Sequence, residues 1–162
     1  MEEILIVCTG NTCRSPMAEG ILKHLIEKRE LADKYIVKSA GIAAKPGDYP
    51  SESAVTVLKK LWNIDIHGHR SKMVTEKDMA DAKLVLVMTR DHRMILAGRH
   101  SKYAKKIFTL KQFVDKKPAT VDNTGRYDYS VDVPDPYGMP EMIYKRTAEE
   151  IYTYMERLID ML

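Results

Sequence analysis

The sequence has few cysteines, few aromatic residues and no long apolar segment, and each scarcity excludes a class of protein. Only two of its 162 residues are cysteine, too few for the disulfide framework of a small secreted domain. The longest apolar runs, such as Leu84 to Met88, are far too short to span a bilayer. Aromatic residues make up 7% of the chain and charged residues 30%, a composition typical of a soluble globular protein.

The signs of export and of nucleic-acid binding are also missing. The start MEEILIV is acidic where a secretory signal is basic, and neither an extended apolar segment nor a small-residue cleavage site accompanies it. We therefore expect a cytoplasmic protein with reduced thiols and no membrane partner. The formal net charge is only +3, and the basic run from Lys102 to Lys106 lacks an aromatic pattern or a recognition motif. We expect no nucleic-acid partner.

Strand-like and helix-like segments alternate along the chain, with no internal repeat or low-complexity tract. Short apolar runs predict strands at Ile4–Val7, Tyr35–Gly41, Lys83–Thr89 and Lys106–Leu110. Capping signals and helical spacing predict helices at Pro16–Glu30, Ser51–Trp62, Thr75–Ala82, Asp91–Gly98 and Glu141–Leu162. The residues of the last helix expected to face the core are Ile143, Ile151, Tyr154, Leu158 and Met161. The alternation favours a single α/β domain, 1–162, whose parallel sheet binds ligands at the carboxyl ends of its strands.

A long loop is predicted between Asp115 and Pro140. Prolines, glycines and aspartates recur there, and helical periodicity is almost absent. Long loops in compact domains are usually functional or mobile, so the stretch VPDPYG, Val133 to Gly138, is a candidate site element.

Both cysteines lie in the loop CTGNTCRS, Cys8 to Ser15, which leaves a buried strand and enters a helix. The backbone N–H groups of such a loop point into one concavity, and the helix dipole adds positive charge there. Gly10 permits tight backbone geometry, and Arg14 can grip two oxygens of a phosphate at once. The same positive field favours the thiolate form of a cysteine. The loop therefore predicts a site for inorganic phosphate or another oxyanion, with Cys8 as a nucleophile aimed at phosphorus.

Metal binding and a purely structural role are the alternatives for the two cysteines. A zinc site needs four ligands, and no Cys or His pair with suitable spacing completes one, so we expect no metal and no other cofactor. The glycine loop of ATP-binding proteins, Gly-x-x-x-x-Gly-Lys-Ser/Thr, is absent. A structural loop around a buried, inert Cys8 is compatible with the pattern of the loop alone.

The two motifs together resemble the low-molecular-weight protein tyrosine phosphatase family. VCTGNTCRSPMAEG and DPYG match its Cys-x5-Arg-Ser loop and its distal Asp-Pro in order and spacing, over essentially the whole chain. The resemblance implies a three-layer αβα, flavodoxin-like fold with a four-stranded parallel sheet. It also implies hydrolysis of a phosphorylated protein substrate through a phosphocysteine intermediate, with Cys8 as nucleophile, Arg14 as phosphate clamp and Asp135 as general acid.

Supporting roles follow from the same resemblance. The phosphate-binding residues that it implies are Thr9, Gly10, Asn11, Thr12, Cys13, Arg14 and Ser15. The hydrogen-bond network that would hold the loop consists of Asn11, Ser15, Ser39 and His69. Ser15 is also placed to cap the following helix, and His69 has an alternative as an ordinary surface histidine. Tyr137 would form one wall of the substrate cleft.

Thr12 bears on the choice of substrate. Tyrosine-directed members of the family usually carry an aliphatic residue at this position, whereas the bacterial protein-arginine phosphatases that the chain also resembles carry threonine. A hydroxyl and a carboxylate suit a planar guanidinium, which must be hydrogen-bonded when it is desolvated, and Tyr137 could stack on its plane. We expect a phosphoarginine-directed phosphatase, with a phosphotyrosine-directed one as the alternative.

Two rival functions use a similar loop. Thioredoxin-coupled arsenate reductases need a further pair of cysteines, and none follows Cys13. A catalytically silent anion-binding or phosphoprotein-binding module has no need for Cys8, Arg14 and Asp135 together.

Cys13 is expected to be a redox guard, because a neighbouring thiol can capture an oxidised nucleophile as a disulfide.

Overall fold

Four short apolar segments form the sheet at the centre of the molecule. In the computed structural model, which describes residues 1–116 and 129–162, they are β1 (Glu2–Cys8), β2 (Tyr35–Gly41), β3 (Ala82–Val87) and β4 (Ile107–Thr109). Every pairing is parallel, and the strand order is β2-β1-β3-β4. The predicted four-stranded parallel sheet is therefore confirmed.

Helices cover both faces of this sheet. In the described ranges they are α1 (Arg14–Lys28), α2 (Glu52–Trp62), α3 (Glu76–Asp81), α4 (Arg90–Arg99), α5 (Leu110–Asp115) and α6 (Glu141–Ile159). Residues of α1, α2, α5 and α6 form one core with Ile4 and Ile6 of β1, while α3 and α4 form a second core with Leu5 and Val7. Because both faces of β1 are buried, its sequence is continuously apolar. The three-layer αβα fold is confirmed.

Some local predictions are wrong. The helix expected to close at Gly98 continues to Arg99. In α6 the expected core residue Met161 lies beyond the helix and is exposed, and Ile143 and Tyr154 are only partly buried. The residues that α6 buries are Tyr144, Thr147, Ala148, Ile151, Met155, Leu158 and Ile159. This face differs from the predicted stripe because α6 packs against both α1 and α2.

The predicted long loop from Asp115 to Pro140 is described only in part, because residues 117–128 lie outside the described residues. Asp115 itself ends α5, a short helix that the sequence pattern does not predict. A 3-10 turn follows at Tyr129–Val131, and the chain from 132 to 140 has no regular secondary structure beyond a turn. No helix in the described ranges has both the length and the apolarity to cross a bilayer.

The topology brings the two sequence motifs to one crevice. β1 lies between β2 and β3, so the connections that leave β1 and β3 diverge at the carboxyl edge of the sheet, where open α/β sheets bind ligands. The loop after β1 carries the cysteines. The Asp135 segment is fixed to the same edge, because Val133 N donates to Met88 O at 2.8 Å, directly after β3.

Candidate active site

Asn11 holds the loop between β1 and α1 in a tight conformation. Its φ of 57° lies in the left-handed region, which asparagine tolerates better than most residues. The Asn11 Nδ2 donates to Ser15 Oγ at 2.8 Å and to Ser39 Oγ at 3.0 Å, and its Oδ1 accepts from Lys72 N at 3.1 Å. Asn11 is fully buried, so water does not compete for these bonds.

A close backbone approach beside the loop occurs at Gly41, the last residue of β2, which no sequence motif identifies, whereas Gly10, for which the sequence predicts tight backbone geometry, has more room. A Cβ on Gly10 would meet only Thr12 Oγ1, at 3.7 Å, whereas a Cβ on Gly41 would lie 2.6 Å from Thr9 O. Next to Gly41, Ile42 N donates to Cys8 O at 3.0 Å. Glycine at position 41 therefore lets the backbone of β2 support the cysteine loop.

Cys8 lies beneath the loop at the end of β1 and is 3% exposed. Its Sγ is 2.9 Å from Ser15 Oγ. Asn11 donates to one lone pair of the Ser15 oxygen, and the Ser15 hydroxyl can therefore donate its own proton to the Cys8 sulfur when that sulfur is a thiolate. The prediction that Ser15 caps the helix is wrong: α1 begins at Arg14, Cys13 occupies the cap position, and no side chain among the described residues makes a capping bond there.

Ser39 and His69 support Asn11 from outside the loop. Ser39 accepts from Asn11 and donates to Glu19 Oε1 at 2.5 Å. The His69 Nε2 donates to the Asn11 carbonyl at 2.8 Å, and the ring is half-buried, so the structure places it beside the loop. Sequence alone does not single out Glu19, because with Lys23 it forms the i,i+4 pair typical of a solvated helix face.

Arg14 connects the loop to the Asp135 segment. Its Nη1 donates to Val133 O at 3.0 Å, and its Nη2 lies 3.5 Å from Asp135 Oδ2. The Arg14 Nε is buried and has no hydrogen-bond partner among the described residues, so this donor is available to an anion in the loop. The Asp135 side chain is 49% exposed, and its Oδ1 accepts from Tyr137 N at 3.1 Å.

The loop and the Asp135 segment line one cleft of about 290 Å³, together with Tyr137. The chain after β2 contributes three residues that no sequence motif identifies, Ala43, Lys45 and Asp48. Buried Ser71 holds this stretch in place with two hydrogen bonds. The Ser71 hydroxyl accepts from Asp48 N at 2.9 Å, and the Ser71 backbone N donates to Asp48 O at 2.9 Å. The cleft therefore offers a second carboxylate besides Asp135.

His92, in the first turn of α4, is a further unpredicted neighbour of the loop. Its Nε2 is 2.8 Å from Thr9 Oγ1. Burial lowers the pKa of His92 to about 4, Arg14 lowers it as well, and Asp135 acts in the opposite direction. The imidazole is therefore neutral at neutral pH.

Cys13 is free and buried, as is Cys8. The Cys13 Sγ donates to Ser51 Oγ at 3.3 Å and lies 3.4 Å from the Tyr144 hydroxyl. Burial, followed by the hydrogen bond with Cys13, raises the pKa of Tyr144 to about 12, so its hydroxyl stays protonated at neutral pH.

The chain has a three-layer αβα fold. A loop with a cysteine and an arginine follows the first strand of its sheet and shares a cleft with an Asp-Pro segment, and this combination is that of the cysteine-dependent phosphatases. The family model described as low molecular weight phosphotyrosine protein phosphatase matches residues 3–162, and the chain belongs to this family. It is a hydrolase of the low-molecular-weight type that acts on phosphorylated proteins.

The relatives of this chain are named either as arginine phosphatases or as tyrosine phosphatases. A protein-arginine-phosphatase of Bacillus subtilis is 39% identical over 99% of this chain and 96% of its own length. A low molecular weight protein tyrosine phosphatase from T. tengcongensis has a TM-score of 0.86 and 44% identity, with 100% of both chains covered. A cysteine-to-serine mutant of the YwlE arginine phosphatase, with a phosphorylated active-site serine, has a TM-score of 0.85 and 38% identity, covering 99% of this chain and 95% of that one.

Proposed function

We propose that this protein removes the phosphoryl group from phosphoarginine in proteins, in the cytoplasm and as a single domain spanning 1–162. The observation that carries the proposal is one cleft that is lined by Cys8, Thr12 and Arg14 of the loop and by Asp135. The names of the Bacillus subtilis relative and of YwlE give further support.

The proposed reaction begins with the phosphoryl oxygens bound by the backbone N–H groups of the loop, Thr9 to Ser15, and by the Arg14 guanidinium. The Cys8 thiolate attacks phosphorus, an S–P bond forms, and the bond from phosphorus to the leaving nitrogen breaks. Asp135 gives its proton to that nitrogen. Water then attacks phosphorus, Asp135 takes a proton from it, and inorganic phosphate leaves with the Cys8 thiolate restored.

The preference for arginine rests on hydrogen-bond acceptors around the mouth of the loop. A guanidinium carries five N–H donors, and each one removed from water needs an acceptor. The Thr12 hydroxyl, the Asp48 carboxylate and the carbonyl oxygen of a protonated Asp135 can act as acceptors in the cleft, and Tyr137, 71% exposed, offers an aromatic face. Thr12 is held in place because its carbonyl accepts from Ser51 N at 2.9 Å.

Phosphotyrosine is the second candidate substrate. The T. tengcongensis neighbour is named a tyrosine phosphatase, and the exposed ring of Tyr137 can also pack against a phenyl ring. A phenyl ring has no donors for Thr12 or Asp48, so the two substrates make different demands on the same cleft.

Replacing Thr12 tests the proposed preference. Thr12→Ile is expected to lower the ratio of kcat/KM for a phosphoarginine peptide over that for the matching phosphotyrosine peptide by about tenfold, because it exchanges a hydroxyl for methyl surface. Thr12→Ser, which keeps the hydroxyl, is the matched control and is expected to preserve the ratio. A wild-type enzyme faster on phosphotyrosine would establish the second candidate, and an unchanged ratio in Thr12→Ile would exclude Thr12 as the determinant.

Cys13 is proposed to guard Cys8 against irreversible oxidation. Peroxide converts a thiolate into a sulfenic acid, and the thiol of Cys13 can then displace water from Cys8 to form a disulfide. Both cysteines line the same cleft, which supports the pairing. To reach Cys8, the Cys13 sulfur must give up its contacts with Ser51 and Tyr144.

Recovery after oxidation measures this guard. Peroxide should inactivate the wild type, and dithiothreitol should restore most of its activity, because the disulfide is reducible. Cys13→Ser should recover much less, because its sulfenic acid proceeds to sulfinic acid. Each variant is compared with its own untreated rate on p-nitrophenyl phosphate. Equal recovery of the two enzymes would show that Cys13 does not protect Cys8.

A further inference from the structure

His92 is a buried polar side chain that the proposed reaction does not use. It is 5% exposed, and its Nε2 lies 2.8 Å from Thr9 Oγ1. Its backbone N donates to Thr89 Oγ1 at 3.1 Å, which fixes the first turn of α4 from which the imidazole extends. The Nδ1 of His92 is buried without a hydrogen-bond partner in the described part of the chain. A buried polar atom without a hydrogen bond lowers the stability of the fold, and an apolar side chain at this position would avoid that cost. The presence of histidine therefore indicates a role for the imidazole.

The unpartnered Nδ1 indicates the tautomer. A neutral imidazole carries one N–H, and buried N–H groups without an acceptor are rarer than buried acceptors without a donor. We therefore assign the proton to Nε2, which donates to Thr9 Oγ1. The Thr9 hydroxyl then accepts from His92, and its own proton remains available for another acceptor.

Thr9 is the member of this pair that reaches the cleft. It lines the same space as Cys8 and Arg14, and it is exposed. The cleft that Thr9 lines also contains Arg14 and Asp135, the proposed phosphate clamp and general acid. A hydroxyl that lines a phosphate-binding cleft can donate a hydrogen bond to an oxygen of a bound phosphoryl group.

We propose that His92 is a positioning residue that orients the Thr9 hydroxyl, so that Thr9 donates a hydrogen bond to a phosphoryl oxygen. This inference rests on the proposed binding of the phosphoryl group in the loop, and it holds for phosphoarginine and phosphotyrosine alike. Thr9 is then a substrate contact made through its side chain, in addition to the backbone N–H contacts of the loop.

Two matched pairs of variants test the proposal on p-nitrophenyl phosphate. Thr9→Val removes the hydroxyl at nearly constant shape and should lower kcat by about tenfold, the usual effect of losing a hydrogen bond to a charged group. Thr9→Ser should retain most of the rate. His92→Leu should reproduce the Thr9→Val loss, whereas His92→Gln, whose Nε2 can replace the imidazole donor, should recover most of it.

Coupling between the two residues separates positioning from a merely structural role. The double variant Thr9→Val/His92→Leu should be about as slow as either single variant, because both remove the same hydrogen bond. Equal losses in His92→Leu and His92→Gln, or multiplicative losses in the double variant, would overturn the proposal. Thermal unfolding of each variant shows whether His92→Leu has a folding defect. If it has one, the rate of Thr9→Val, a change at the surface of the cleft, tests whether the Thr9 hydroxyl contacts the substrate, and the rate of His92→Gln tests the role of His92.

The same measurements distinguish this inference from the proposed function. A wild type without turnover, or an active Cys8→Ser variant, would reject the phosphocysteine mechanism. A normal wild type, an inactive Cys8→Ser and a fully active Thr9→Val would reject only the role of Thr9 and His92.

Discussion

Cys8→Ser is expected to lower turnover of p-nitrophenyl phosphate by more than about a thousandfold, because the covalent step needs a thiolate and a serine hydroxyl holds its proton at neutral pH. Binding of inorganic phosphate, measured by calorimetry, should change little, since Arg14 and the backbone of the loop remain. The small change in side-chain volume leaves the contact with Ser15 in place.

Cys13→Ser makes the same exchange of sulfur for oxygen in the same loop and serves as the matched comparison. Its turnover should fall far less, because the Cys13 sulfur contacts Ser51 and Tyr144. Near-wild-type turnover of Cys8→Ser would eliminate the covalent mechanism.

The sequence predicts the strands well because their signal is local. β2 coincides with its predicted range, Tyr35–Gly41, and β1 extends the predicted Ile4–Val7 by a few residues only. Buried parallel strands are continuously apolar, and turn residues bound them, so composition over a few residues is sufficient. The buried face of α6 is predicted less well, because it depends on which helices pack against it.

The contacts that hold the cysteine loop could not be predicted from local patterns. Gly41 matters only because β2 pairs with β1 and brings it against Thr9. His92 contacts Thr9 because the neighbouring strands β1 and β3 end at the same edge of the sheet, and nothing in the residues around His92 marks a polar contact. Such residues become visible only once the tertiary structure fixes their neighbours.

The loop is held in place by hydrogen bonds from uncharged donors, and the charged side chain of Arg14 takes no part in them. Asn11 uses all of its side-chain polar atoms on Ser15, Ser39 and Lys72, so its left-handed backbone is constrained from several sides. None of these bonds uses the Arg14 guanidinium. Val133 and Asp135 contact the two Nη atoms of Arg14, while its buried Nε has no hydrogen-bond partner among the described residues.

Asp135→Asn should separate proton transfer from substrate binding. Loss of a general acid typically lowers the rate of the proton-transfer step by about a hundredfold or more, and we expect leaving-group release in the first turnover to slow by this much when the leaving group is a strong base that must be protonated as it departs. The guanidine nitrogen of phosphoarginine and the oxygen of an alkyl phosphate are such leaving groups. The oxygen of p-nitrophenol leaves as a stable anion, so the corresponding loss should be much smaller.

The side chain of Asp135 also lies 3.5 Å from Arg14 Nη2, and the amide of asparagine keeps the size of the carboxyl while it removes the charge. A purely electrostatic role in holding Arg14 would weaken every substrate alike and would appear mainly in KM and in phosphate affinity. A general acid makes the loss depend on the basicity of the leaving group and appear in the rate of leaving-group release during the first turnover. A plot of the logarithm of that rate against the pKa of substituted phenols should therefore be nearly flat for the wild type and steeply negative for Asp135→Asn, and parallel plots would show that Asp135 does not transfer the proton.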